Sequence, residues 1–297
     1  MDLWDIFYTK TDFETFLKSK GLILKKNIKV LNKLSLFYAD PFILNIKKNL
    51  IEVLVEDFSY LTGGKLSSLK INIKSRKVSK KILIKGKHFS YPHIVFENKF
   101  LYLFPEMAEE DENIIFKNNN NKLYPVKNYL FGENVVDPSI IKFNKLYWLF
   151  CSFKNRQENK DLYLFYSKTL LGNWTGHPLN PIIKNKSNAR SAGNIVLHKG
   201  SLYRPSQEST KDQYGEKLVI NKIIKLDKKG YKDKIIFKVN AINENYNGIH
   251  HISYKNNYFV FDQKYNKYSI LKLFYYVSKK FIFKKYIKDE KYQKNGL

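Results

Sequence analysis

Acidic residues recur at two kinds of place in this chain. Asp40 and Asp137 each precede a proline at the head of an apolar run, in Asp40-Pro41-Phe42-Ile43-Leu44 and Val136-Asp137-Pro138-Ser139-Ile140-Ile141. Glu56 closes the run Ile51-Glu52-Val53-Leu54-Val55-Glu56-Asp57, and Glu106 closes Phe100-Leu101-Tyr102-Leu103-Phe104-Pro105-Glu106. Further on, Arg204-Pro205-Ser206-Gln207-Glu208 and Asp262-Gln263 end apolar runs in the same way. His93, Asn194 and His250 or His251 fall close to the place held by Asp40 and Asp137. Carboxyls gathered in a narrow space split in role, because like charges raise the pKa of at least one of them. Glycosyl transfer uses that split: one carboxyl protonates the leaving oxygen while a carboxylate activates the acceptor or attacks. Acid–base help of this kind is worth about 10²- to 10⁴-fold in rate. A single strand-end carboxylate is equally a turn former or a solvent group. The matching places of Asp40, Glu56, Glu106 and Asp137 in a repeat favour a shared site.

The repeat itself is a hairpin grammar. Val136 to Phe143 reads as a strand, Asn144-Lys145 as a two-residue turn and Leu146 to Phe150 as a second strand. The same pattern starts near Asp40, Tyr91, Ala192 and Ile249, giving a period of roughly 45 to 60 residues, in the range of solenoids, propellers and arrays. A third β-rich run follows each hairpin: Leu66 to Ile73, Asn113 to Phe116, Asp161 to Ser167, Leu218 to Leu226 and Tyr268 to Tyr276. Three or four short strands repeated radially describe propeller blades. The expected fold is all-β, a five-bladed β-propeller, as one domain over 1–297 with blades starting near residues 37, 88, 134, 188 and 247. Trp4 to Tyr8 is β-prone, and an N-terminal strand there could close the ring. Thr11 to Lys18 reads as a short helix, with Thr11 as cap and Glu14 completing a capping box. A residue before proline is held extended, so Asp40 and Asp137 should point from the innermost strands into the central funnel.

Arg190 and Arg204 are two of only four arginines, set against 49 lysines. Where lysine is the default base, an arginine suggests a need for its planar fork. Each is read either as an ion pair with a ring carboxylate or as a holder of an acidic or phosphorylated ligand. Trp174 and His177 lie in a turn-rich loop after the third unit, where Trp174 caps the blade or stacks on a sugar.

A net charge of +26 points toward anionic partners. The lysines are spread along the whole chain, without zinc-finger spacing, an RNA-recognition signature or a basic helix, so nucleic acid is not the expected partner. Peripheral contact with an anionic membrane fits scattered lysines better. Cys151 is the single cysteine, which excludes an internal disulfide and thiolate metal sites. No run of about 18 apolar residues suggests a membrane-spanning helix, and the acidic first residues do not read as a secretory signal. The expected location is cytoplasmic, peripheral at the inner membrane.

Seven short motifs carry a family resemblance. Ala39-Asp40-Pro41-Phe42, Ser90-Tyr91-Pro92-His93, Pro105-Glu106, Val136-Asp137-Pro138, Leu171 to Pro178, Ala189-Arg190-Ser191-Ala192-Gly193 and Tyr203-Arg204-Pro205-Ser206-Gln207 occur in that order. Together they resemble the N-terminal domain of plant glucosamine inositolphosphorylceramide transferases and its bacterial relatives. In the plant proteins that domain precedes a separate glycosyltransferase domain. The chain is similar, more distantly, to the five-bladed propeller furanosidases, fructosidases and mannoside phosphorylases. That likeness implies Asp40 as base or nucleophile, Asp137 as the aspartate that tunes it, and either Glu208 or Glu106 as acid.

The expected site therefore comprises Asp40, Asp137, Glu106 and Glu208 as catalytic residues. Glu56, His93, Arg190, Arg204, Gln207, His250 and His251 would bind substrate. Arg190 and Arg204 could hold a donor diphosphate. The expected activity is glycosyltransferase- or phosphorylase-like transfer in surface-glycan synthesis, with a sugar donor and a glycan or glycolipid acceptor. Glycoside hydrolysis and non-catalytic glycan binding are the alternatives. No cofactor is required by this reading, although Asp40, Asp137 and His93 could take a divalent cation.

Overall fold

The structure, a computed structural model, describes residues 2–30, 35–59, 63–110, 112–119, 122–210, 214–242 and 244–266. These residues form five antiparallel sheets arranged as a five-bladed β-propeller. From the innermost strand outward, blade one is Phe37–Lys47, Leu50–Ser59, Gly63–Asn72 and Val78–Ile84. Blade two is Ser90–Glu97, Phe100–Glu106, Ile114–Asn119 and Lys122–Asn128. Blade three is Val135–Phe143, Leu146–Phe153 and Asp161–Ser167, edged by the short strands Thr175–Gly176 and Ile183–Lys184. Blade four is Val196–His198, Ser201–Glu208, Lys217–Leu226 and Tyr231–Val239.

Blade five is assembled from both ends of the described chain. Ile252–Lys255 and Tyr258–Asn266 form its inner hairpin, and Asp2–Lys10 pairs with Tyr258–Asn266 over its full length, with Ile28–Lys29 outside it. The N-terminal strand thus fills the third place of this blade. The run Tyr268 to Tyr276 lies outside the described residues. The helix after that strand starts one residue later than the sequence suggests, at Phe13–Lys18 with Asp12 as its cap, whose carboxylate accepts from Thr15 N. Thr11 is held in the sheet by its backbone bond to Asn257 O, and Glu14 turns to Lys199 and His198 instead of closing a capping box.

Turn chemistry sets each hairpin register. Asn98-Lys99, Asn144-Lys145, Lys199-Gly200 and Asn256-Asn257 all have positive φ, the backbone that a tight two-residue hairpin requires. Apolar clusters fill every seam between neighbouring blades, for example Leu54 and Leu66 against Phe89 and Leu103 between blades one and two. At the seam of blades five and one, Ile6 and Val260 meet Tyr38 and Val53. Burial is therefore shared between blades, and no blade has a core of its own.

One local irregularity matters most. The innermost strands of blades one, two and three each bulge at an X-Pro pair, between Ala39 and Phe42, Ser90 and His93, and Val136 and Ser139. The residue before each proline is left-handed, with φ of 50° at Asp40, 43° at Tyr91 and 48° at Asp137. The sequence leads one to expect an extended residue there. The bulge overrides it, because the extra residue breaks the ladder and re-aims its side chain.

Candidate active site

The bulges are held by acids from neighbouring blades. Asp40 N donates to Asp262 Oδ2 at 3.0 Å, Tyr91 N to Asp40 Oδ2 at 3.2 Å, and Asp137 N to Glu106 Oε2 at 3.1 Å. Each of these carboxylates comes from the preceding blade. A left-handed non-glycine residue costs of order 1–3 kcal/mol and persists where its surroundings fix it, most often at functional sites. Asp40 and Glu106, together with Glu56 and Asp137, line a cavity of about 410 Å³ at one end of the axis, with Asp262 buried behind them. Glu56, three residues before the end of the second strand of blade one, and Glu106, at the end of that of blade two, stand opposite Ala39 and Ser90.

Two cations enter this acidic ring. His250 bridges two aspartates, with Nδ1 2.8 Å from Asp262 Oδ1 and Nε2 3.3 Å from Asp40 Oδ1. Burial opposes its charge, but Asp262 and Asp40 together push His250 up to about 10. Burial likewise works against an ionised Asp40, and the His250 contact overcomes it, holding that carboxyl down at about 2. Trp4 stacks on the imidazole with centroids 3.8 Å apart, and Tyr214 meets it edge-on. On the other side, Arg190 Nε donates to Asp137 Oδ2 at 2.6 Å and Nη1 to Asn159 at 2.9 Å. The guanidinium lies over the Tyr214 ring at 4.8 Å.

The remaining acids behave oppositely to Asp40. Burial, then the charges of Asp40 and Glu106, push the Glu56 carboxyl well up. Burial also raises Glu106 and Asp137, with Arg190 opposing in both cases. The ring thus contains an ionised Asp40 beside carboxyls that retain protons far more readily, the division that acid–base chemistry needs.

Several expected site residues stand elsewhere. Glu208 ends the second strand of blade four but pairs with Lys217 and Lys238, and it does not line the cavity. Of the two candidate acids, Glu106 is the one beside Asp137. Arg204 is wholly buried and pairs with Asp233 at 2.7 Å while donating to the carbonyls of Asn188 and Ala189. It holds blade four together and does not reach a ligand. Gln207 supports the ring from beneath, donating to Asp137 Oδ2 at 3.2 Å and to Ser191 O at 2.8 Å.

His93 and His251 are buried below the cavity floor, packed against Phe42. His93 Nε2 meets the backbone of Ile140. Burial lowers His93 to about 3 and His251 to about 4, so both rings are neutral at pH 7. The proline offset explains the misplacement of His93: Tyr91, not His93, is the counterpart of Asp40. Trp174 packs partly buried against the blade-three core, and His177 Nε2 meets Asp227 O, so neither faces the funnel.

Asp40, His250 and Asp262 bring ligand atoms within 4.8 Å of one another, the arrangement nearest to a cation site among the described residues. A cation there would have to displace the imidazole's bonds to both aspartates, since a protonated His250 has no lone pair to offer. Sequence reasoning did not single out Trp4, His88, Glu158, Asn159 and Tyr214, which also line the cavity. They come from loops and from the ring-closing strand, outside the repeated hairpin positions.

The five-bladed propeller fold is shared with sugar-cleaving enzymes of known structure. An α-L-arabinofuranosidase from Podospora anserina, in complex with cellotriose, aligns with a TM-score of 0.55 at 11% identity, over 77% of this chain and 91% of its own. A β-xylosidase/α-arabinofuranosidase from a compost microbial metagenome aligns at 0.56 and 10% identity, over 78% and 86%. At such identities the likeness shows the fold alone. The family is shown by sequence: the model of the glucosamine inositolphosphorylceramide transferase 1 N-terminal family matches residues 23–257, and the chain belongs to that family. Glucosamine inositolphosphorylceramide transferase 1 of Oryza sativa subsp. japonica is 32% identical over 152 residues, 49% of this chain and 20% of the plant protein. The Arabidopsis thaliana protein of that name is 29% identical over 180 residues, 57% and 23% respectively. The chain thus matches about a fifth of the length of these relatives.

Proposed function

We propose that this chain is a carbohydrate-active propeller that transfers a sugar, in the manner of a glycosyltransferase or phosphorylase, to a glycolipid acceptor at the cytoplasmic face of a membrane. The observation that carries the reading is the gathering, in one cavity, of Asp40, which His250 contacts at 3.3 Å and holds low, with Glu106 and Glu56, whose carboxyls burial pushes up. Asp40 serves as the base that activates the acceptor hydroxyl or as the attacking carboxylate. Glu106 supplies the proton to the leaving oxygen. Arg190, which donates to Asp137 in the free protein, meets the anionic part of the donor. The plant relatives' name supports the choice of transfer over hydrolysis and of an inositol-phosphate lipid as acceptor class.

The test is incubation of the purified chain with a panel of nucleotide sugars and sugar phosphates, with and without inositol-phosphate glycolipids, and mass analysis of the products. Asp40→Asn and Glu106→Gln should each lower transfer by about 10²-fold or more. Sugar release without acceptor would make the protein a hydrolase. Tight glycan binding with no turnover, unchanged in both variants, would make it a binding module and overturn the proposal.

A further inference from the structure

A groove of about 800 Å³, larger than the funnel cavity of about 410 Å³, runs between blades one and two, within the size range of sites for small ligands. It lies further along the strands than the row of Glu56 and Glu106, and it opens at the side of the propeller between the outermost strands Val78–Ile84 and Lys122–Asn128. Its floor is apolar, made by half-buried Leu44, Leu83, Leu101 and Leu123 over the buried Leu54 and Leu103 of the seam between the blades. At its lip two large apolar side chains stand in solvent, Ile82 at 38% exposure and Tyr124 at 48%.

Three exposed lysines rim the groove, Lys70, Lys81 and Lys122. Among the described residues none of the three has a carboxylate within ion-pair distance, whereas Lys80 beside them is paired with Asp57. The single acid in the groove wall, Glu52, accepts from Ser68 Oγ at 2.9 Å. An apolar trough rimmed by three cations against one acid, Glu52, the cross-strand partner of Lys70, fits one chemistry, an acyl chain joined to an anionic head. A free phosphate would leave the leucine floor uncovered, and a neutral lipid would leave the lysines unpaired.

We propose that this lateral groove docks the chain on an anionic bilayer, taking one lipid acyl chain between blades one and two while Lys70, Lys81 and Lys122 contact lipid phosphates. This goes beyond the reading of the funnel and stands whether or not sugars are transferred there. Lysines at an anionic surface each contribute about fivefold to partitioning.

Vesicle co-sedimentation tests it, with phosphatidylcholine alone and with an equimolar mixture of phosphatidylcholine and phosphatidylglycerol. The chain should bind the mixed vesicles and not the neutral ones. The triple variant Lys70→Glu/Lys81→Glu/Lys122→Glu should lose about 100-fold in partitioning. A control with the same charge change on blade four, Lys229→Glu/Lys232→Glu/Lys234→Glu, should lose less than about fivefold. Insertion is read separately: Tyr124→Trp should gain quenching by brominated lipid above that of the parent protein's own tryptophans. Equal losses in the two triple variants would overturn the proposal in favour of diffuse charge attraction. Absence of added quenching at position 124, or equal binding to neutral vesicles, would overturn it as well.

Discussion

At neutral pH the Asp40–His250–Asp262 chain has its cation between two acids, and that order fixes how the site responds to pH. His250 is raised to about 10, so the stability it contributes is whole below pH 6.5 and is lost as pH climbs through 10. Asp40 is lowered to about 2, so its contribution is whole above about pH 4 and is lost as pH falls toward 2. The network is complete between these limits. Thermal melts from pH 6 to 10 should therefore show a falling midpoint, with a shallower fall in His250→Gln. Glu56 has the opposite sense, since its folded-state pKa is raised: the unfolded chain loses the proton first, and ionisation above pH 4.5 works against the fold. Glu56→Gln should raise the midpoint at pH 8 and leave it unchanged near pH 4. A midpoint that drops at both pH values would show that Glu56 holds the blade and is not a strained acid.

The X-Pro bulges are where local sequence and assembled structure part company. Asp40 and Asp137 were legible because each opens an apolar run before proline, and Glu56 and Glu106 because each closes one. The left-handed backbone was not legible, since proline alone argues for an extended neighbour and the bulge arises from pairing across the blade. Nor could spacing have found Trp4 or Tyr214, which reach the funnel from segments without a repeat. Arg204 was singled out correctly as unusual, but its partner is Asp233, an ordinary acid on the outermost strand of its own blade. Blade four reaches the axis without a proline bulge, through Gly193 at φ 129°, whose N–H donates to Tyr91 Oη at 2.7 Å. A Cβ there would meet Ile252 O at 1.9 Å. Gly193→Ala should cost about 3 kcal/mol or more, whereas Gly132→Ala, with open space and φ 82°, should cost about 1–2 kcal/mol. Denaturant melts of the two variants decide whether the axial contact or the backbone angle dominates.

The ring as a whole depends on a clasp formed by distant segments. Asp2–Lys10 lies between Ile28–Lys29 and Tyr258–Asn266, with seven of its nine residues buried, and it also supplies Trp4 to the funnel. Removing residues 2–10 should abolish a cooperative thermal transition, because the seams of blade five with blades four and one lose Phe7 and Ile6 together. A truncated chain that still melts cooperatively would show that four blades suffice.

The clasp also sets a timetable for synthesis. Asp5 bonds with Tyr246 across 241 positions, and Asp40 N with Asp262 across 222. A ribosome adding about 5–20 residues per second needs roughly 12 to 50 s between releasing the first strand and releasing its partner. Throughout that interval an apolar β-strand waits unpaired on a growing, strongly cationic chain. Its competitors are other nascent copies and any acidic polymer nearby, so the yield of native protein should depend more on chaperone supply and translation speed than on the stability of the finished ring.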